Sequence, residues 1–261
     1  MEVGMTRPIV VLTLVMVLLT TASCGRDPQG SAVAGPEAAG WVKAPVIDSA
    51  KRATAGLIVS GQAAPGSRIV IKGDRGTAFA VGTGEDGRFD LLVPSPQTDT
   101  LYVVEVEAGE DAVPAAARLL VAGDPAGPVA LISPGSPTKR LDPGTGLDVV
   151  DSDRRTRVAS GRAAAGQRVA IVIDGGEVIT VTANDTGRWS LNLGPIRSPA
   201  STITVDGLTH VFPGESGSDA PIDRLMPAGG GTILRWKLSD TAEQNSWFAR
   251  DSRVAAARDA G

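Results

Sequence analysis

The chain repeats itself at a fixed offset of 100 residues, and no other feature limits its fold as tightly. Ser60-Gly61-Gln62-Ala63-Ala64-Pro65-Gly66-Ser67-Arg68-Ile69 lies over Ser160-Gly161-Arg162-Ala163-Ala164-Ala165-Gly166-Gln167-Arg168-Val169 without a gap. The register continues through Ile71 and Ile171, Asp74 and Asp174, Gly76 and Gly176, Val81 and Val181. Asp86-Gly87-Arg88-Phe89 then meets Thr186-Gly187-Arg188-Trp189, and Leu91 meets Leu191. Between 60 and 93, 13 of 34 positions are identical. Two copies of one structural unit are expected.

Each copy reads as strands joined by tight turns. Pro65-Gly66 is a turn dipeptide, with glycine free to take a positive φ. Asp74-Arg75-Gly76 and Asp174-Gly175-Gly176 are hairpin turns between Arg68–Lys72 and its return from Ala78, and between their counterparts. Phe89, Leu91 and Val93 share one face of a strand, as do Trp189, Leu191 and Leu193. Further strands are expected at 57–59, 100–107, 117–121, 146–150, 157–159, 201–205, 208–212 and 232–238. A turn near 239–243 would return 245–250 beside the last of these. Short strands at this spacing predict an all-β chain of two tandem sandwiches. Gly (32) and Pro (18) are abundant, as such turns require. Aromatics are only 3%, so the cores must be mostly aliphatic.

These residues resemble the bacterial immunoglobulin-like (Big-type) modules of surface and periplasmic proteins. Their pattern is roughly G-x-A-x-P-G-x-x-V-x-V, a hairpin, then D-x-x-G-x-W/F-x-L-x-L, and both copies follow it in outline, with Ala165 in place of the usual proline in the second. The resemblance implies an immunoglobulin-like fold. It does not imply an activity, because such modules serve as spacers, binders and stalks alike. The end of the chain also loosely resembles two-module envelope lipoproteins of alphaproteobacteria.

The N-terminus reads as an export signal. Arg7 precedes an apolar run from Ile9 to Leu19, too short for a permanent membrane span. Thr21-Ala22-Ser23-Cys24 follows, small residues before the only cysteine. This resembles a lipobox with Thr21 at the usual Leu or Val position, and implies acylation of Cys24. Several acyl chains would anchor the protein stably. Gly25 rather than Asp after the cysteine points to the outer membrane. Glu2 suits such a leader poorly, and Met5 is an alternative start. The expected layout is a signal peptide over 1–23, a flexible tether over 24–40 and a first module over 41–122. A Pro/Gly-rich linker or irregular start of the second module follows over 123–146, then the second module over 147–250 and a tail over 251–261.

Chemistry-bearing residues are few. A net charge of −4 argues against a nucleic-acid partner. One His and one Cys leave little room for His-based catalysis, His/Cys metal sites or disulfides. Asp148, Asp151 and Asp153 are close enough in sequence to be Ca²⁺ candidates at a module junction, or simply turn residues. His210 sits in a strand pattern, and Gly214-Glu215-Ser216-Gly217 lacks nucleophile-elbow spacing. Gly229-Gly230-Gly231 lacks a phosphate-binding context. Trp236 and Trp247 in the final hairpin either pack in the core or offer an aromatic binding platform. Trp41 is expected to plug one end of the first module, and Arg88 and Arg188 to flank the strands. No cofactor is expected. The reading is a non-enzymatic envelope lipoprotein, held to the membrane by its lipid, that spaces, scaffolds or binds a protein partner. The alternatives are a carbohydrate- or peptidoglycan-binding module, or an accessory subunit of an outer-membrane transport or secretion machine.

Overall fold

The computed structural model describes residues 42–250, apart from 75, 110, 145, 196 and 197. Cys24, the tether, Trp41 and the tail from 251 lie outside them. The first repeat holds β1 (Val46–Ala53), β2 (Gly56–Gln62), β3 (Arg68–Lys72), β4 (Ala78–Gly82) and β5 (Arg88–Val93). It continues with β6 (Thr100–Ala108), β7 (Asp111–Pro114), β8 (Arg118–Val121), β9 (Val129–Ile132) and β10 (Lys139–Arg140). One antiparallel sheet runs β1-β2-β5, and the other β10-β9-β8-β6-β3-β4, with β7 also on β6. Alternation decides which side chains go inward. Leu57, Val59, Phe89, Leu91 and Val93 of the first sheet meet Ile69, Ile71, Val104, Val106, Leu119 and Val121 of the second.

β7 and β8 lie along the same edge of β6. Glu105 faces Pro114 and Tyr102 faces Leu119, so the outer strand carries extra residues between the two pairs. Residues 115–117, between the two strands, take up the excess, and β8 carries the sheet onward to β9.

The second repeat holds β11 (Gly146–Ser152), β12 (Thr156–Arg162), β13 (Arg168–Ile173), β14 (Val178–Thr182) and β15 (Arg188–Pro195). β16 (Ser201–Val205), β17 (Leu208–Phe212), β18 (Leu225–Ala228), β19 (Gly231–Lys237) and β20 (Glu243–Ala249) complete it. Its sheets run β15-β12-β11-β20-β19-β18 and β14-β13-β16-β17. Val150, Ala159, Trp189, Ile233 and Trp247 pack on Val169, Ile171, Ile203, Val205 and Phe212. The described residues are thus all-β, in two immunoglobulin-like sandwiches.

The copies agree in detail. A bulge between Ile47 and Ser49 recurs between Leu147 and Val149. The hydrogen bond from Ala63 N to Gly87 O, 2.9 Å, recurs from Ala163 N to Gly187 O, also 2.9 Å. Gly61 faces Phe89 across β2 and β5, and Gly161 faces Trp189 across β12 and β15. A Cβ on Gly61 would lie 2.2 Å from Val46 O and 2.6 Å from the Phe89 ring. On Gly161 it would lie 1.9 Å from Gly146 O and 2.5 Å from the Trp189 ring. The missing side chain is the space each aromatic ring fills.

The two sandwiches share a third core. Leu101, Leu120, Ala130 and Ile132 of the first repeat pack on Val149, Leu234, Trp236 and Phe248 of the second. Sheet faces that an isolated sandwich would expose are therefore buried on each other, and β9, β11 and β20 are covered on both sides. Residues 123–146, expected as a linker or irregular start, supply two strands of the first repeat's sheet, β9 and β10. Proline and glycine mark the turns around them, while Val129-Ala130-Leu131-Ile132 is apolar on both faces because both are buried.

Candidate functional site

Alongside the third core runs a polar seam, built from strand β10 of the first repeat and β11, β12, β15 and β20 of the second. Asp148 is the extra residue of the β11 bulge, which turns its carboxylate toward the seam. Arg162 grips it with two bonds, Nε to Oδ2 at 2.7 Å and Nη2 to Oδ1 at 2.6 Å. Arg188 Nη1 adds a contact at 3.3 Å. The arginines also reach across: Arg162 Nη1 donates to Asp142 O at 2.6 Å and Arg188 Nη2 to Arg140 O at 2.6 Å. Arg140 pairs with Asp142 at 2.7 Å and donates to Ala249 O at 2.6 Å. Burial pushes the Asp148 carboxyl above its ordinary value despite these guanidinium partners. The first repeat echoes this arrangement in weaker form, with Gln62 Nε2 donating to Asp48 Oδ2 at 3.0 Å.

Asp151 is likewise buried, and it joins none of the ion pairs found among the described residues. Its Oδ2 accepts from Thr138 N at 2.7 Å, and its Oδ1 from Thr138 Oγ1 at 2.7 Å and Ser246 Oγ at 2.6 Å. Burial raises its pKa, and the hydrogen bonds oppose the rise. Trp236 Nε1 is 3.1 Å from the same Ser246 Oγ, which ties the apolar core to the polar seam.

Two further contacts cross between the repeats. Asp99 accepts from Gly123 N and Leu225 N at 3.0 Å each. Arg118 lies 3.5 Å from Asp223.

Where β10 lies over β12 and β15, a shallow cavity of about 220 Å³ opens. Thr138, Lys139, Ser160, Asn184, Arg188 and Ser190 give it polar walls, with Gly161 and Trp189 also lining it. Lys139 joins none of the ion pairs found among the described residues. Burial, together with the Arg188 charge, holds its ammonium below the ordinary lysine value, and Asp48 opposes this.

The three aspartates considered for Ca²⁺ do not converge. Asp148 is engaged by arginines, Asp151 by hydroxyls and a backbone N–H, and Asp153 caps its own turn, accepting from Arg155 N at 2.9 Å and Thr156 N at 2.8 Å. Slight burial works against Asp153, but those bonds outweigh it and hold its pKa low. No group of three His, Cys, Asp or Glu suited to a metal occurs among the described residues. The platform reading of Trp236 and Trp247 is also corrected, since each is only 1% exposed. Large rings on these central strands have a sheet on either side to pack against, so neither faces solvent. His210 is half-buried on β17, opposite Ile203. Arg88 is exposed beside Asp86, at 3.7 Å, while its counterpart Arg188 is drawn into the seam. Cys24 and Trp41 lie outside the described residues.

Sequence reasoning missed Thr138, Lys139, Arg140 and Asp142, which sit in the proline- and glycine-rich stretch. The recurrence of Asp48 at Asp148 and Gln62 at Arg162 was the available signal.

No protein-family profile matches the chain. No curated protein matches it either. Among solved structures, the chain has a partial likeness to a biofilm-associated protein, BSP domain, at 19% identity and a TM-score of 0.23. The likeness covers 69% of this chain and 30% of that one, so the chain spans less than a third of that protein's length.

Proposed function

We propose that this chain is a non-enzymatic cell-envelope lipoprotein, anchored through Cys24, whose two repeats act as one stiff scaffold or spacer presenting its faces to a protein partner. The observation that carries this reading is the third core. Leu120, Ile132, Trp236 and Phe248 fasten the sandwiches face to face, where a spacer made of jointed modules would leave a linker between them. The order of the chain supports the anchor, because an apolar run, small residues and a lone cysteine precede the folded part. The glycan-binding alternative has less support, since no aromatic residue is among the large exposed hydrophobics of the described residues.

The test is expression of the full chain and of Cys24→Ser in a diderm bacterium. The wild type should enter the detergent phase, sediment with outer-membrane markers, and carry diacylglyceryl and amide-linked acyl mass on Cys24. Cys24→Ser should stay aqueous. A mature protein starting at another residue, with an unmodified Cys24, would overturn the anchor. Hydrolysis of peptidoglycan or polysaccharide by the purified protein, abolished by His210→Ala or a single Asp→Asn that leaves it folded, would overturn the non-enzymatic reading.

A further inference from the structure

We propose that the cavity between β10, β12 and β15 binds a small oxyanion, a carboxylate- or phosphate-bearing molecule of about amino-acid size, held by Lys139, Arg188 and Asn184. The inference does not depend on the scaffold reading. It rests on the chemistry of the lining. Lys139 and Arg188 bring two positive charges to the cavity, and no carboxylate lines it. The chain as a whole carries −4, so a positive concavity runs against its average. Asp148 lies behind Arg188 and is also held by Arg162, so it offsets only part of the charge.

Hydrogen bonding gives the cavity direction. Asn184 Oδ1 accepts from Thr186 N, Thr186 Oγ1 and Arg188 N, at 3.0, 2.8 and 2.9 Å. This fixes the amide with its oxygen turned into its own loop and leaves Nδ2 as the end available to a ligand. Ser160 and Ser190 add hydroxyls to the walls. Lys139 joins no ion pair among the described residues, Asp48 acting on it only from beyond ion-pair distance, and a half-buried ammonium in that state gains from an anion that reaches it. A volume of about 220 Å³ has room for one small molecule. The walls come from both repeats, Lys139 from the first repeat's sheet and Asn184 and Arg188 from the second, so an occupant would brace the seam.

The test is titration of the mature chain at constant ionic strength, with inorganic phosphate and separately with N-acetylglycine, followed by calorimetry and by the Asn184 side-chain amide resonance. At least one probe should bind saturably at one site per chain and shift that resonance. Saturation by phosphate alone would assign a phosphate ligand, and by N-acetylglycine alone a carboxylate. Lys139→Gln should weaken binding about tenfold, as loss of a charge-assisted contact does. Asn184→Asp keeps the turn-capping oxygen and adds a negative charge, and should abolish binding. Lys72→Gln, remote from the cavity, should leave it unchanged. Absence of saturable binding by either probe overturns the proposal. So does binding that persists at wild-type strength in folded Lys139→Gln and Asn184→Asp.

Discussion

Trp236 and Trp247 lie on the adjacent strands β19 and β20 and face opposite sides of one sheet. Trp247 stands edge-on to Phe212 in the second repeat's own core, with ring centroids 5.8 Å apart. Trp236 enters the core shared with the first repeat. Each indole N–H has an acceptor or hydroxyl partner, Ala228 O at 2.8 Å for Trp247 and Ser246 Oγ at 3.1 Å for Trp236. Truncating either to alanine should therefore lower stability by about 3–5 kcal/mol in denaturant unfolding. In a Trp41→Phe background, acrylamide should quench the remaining fluorescence weakly, and chitin oligomers should not change it. Strong quenching or a saccharide response would place one of these rings at the surface.

The repeated glycines should separate into two classes. Gly61 and Gly161 have no room for a Cβ, which would meet backbone oxygen at 2.2 and 1.9 Å. Gly66 and Gly166 have φ of +70° and +73° but nothing within 4 Å. Gly→Ala at 66 or 166 should then cost only about 1 kcal/mol, the ordinary penalty of a left-handed backbone. At 61 or 161 the aromatic partner and strand must move, and the cost should reach about 3 kcal/mol or more. Equal losses at the four positions, measured by urea unfolding, would contradict this.

Asp151 predicts a pH dependence with a definite sign. Its pKa is raised in the folded chain, so the folded state holds its proton more tightly than the unfolded state does. The resulting stabilisation is fully present below about pH 4 and is lost as pH rises through the raised value. Asp151→Asn removes that titration and keeps groups able to bond Thr138 and Ser246. Between pH 4 and 7 the wild type should lose stability relative to Asp151→Asn in guanidinium unfolding. A constant difference would show that folding leaves the Asp151 pKa unshifted, and a difference that moves the other way would show that folding lowers it; either contradicts the account.

Much of the fold was legible because its signals are local. β5 follows from period-two alternation after a turn glycine and β3 from a short β-branched run between two turns, and the 100-residue offset carries the same reading to the second copy. The seam was hidden because it depends on tertiary burial. β9 is apolar on both faces, a pattern with no period, and β10 is a two-residue strand, Lys139–Arg140, with no apolar pattern. β18 contains Pro227, tolerated because that strand lies at a sheet edge. The aspartates looked like one cluster in sequence. A bulge and alternation aim Asp148 at arginines and Asp151 at hydroxyls, while Asp153 stays in the exposed turn.

The central claim is that the two repeats form one rigid body, and a distant mutation tests it most directly. With Trp41→Phe, every remaining tryptophan, Trp189, Trp236 and Trp247, belongs to the second repeat. Leu57 lies in the core of the first repeat, fully buried and outside the shared core. Leu57→Ala should cost about 2–5 kcal/mol. If the shared core couples the sandwiches, unfolding followed by tryptophan fluorescence should be one transition, shifted by Leu57→Ala as far as the transition seen by circular dichroism. A fluorescence transition that Leu57→Ala leaves in place, with a separate earlier step in circular dichroism, would show two independent modules and contradict the account.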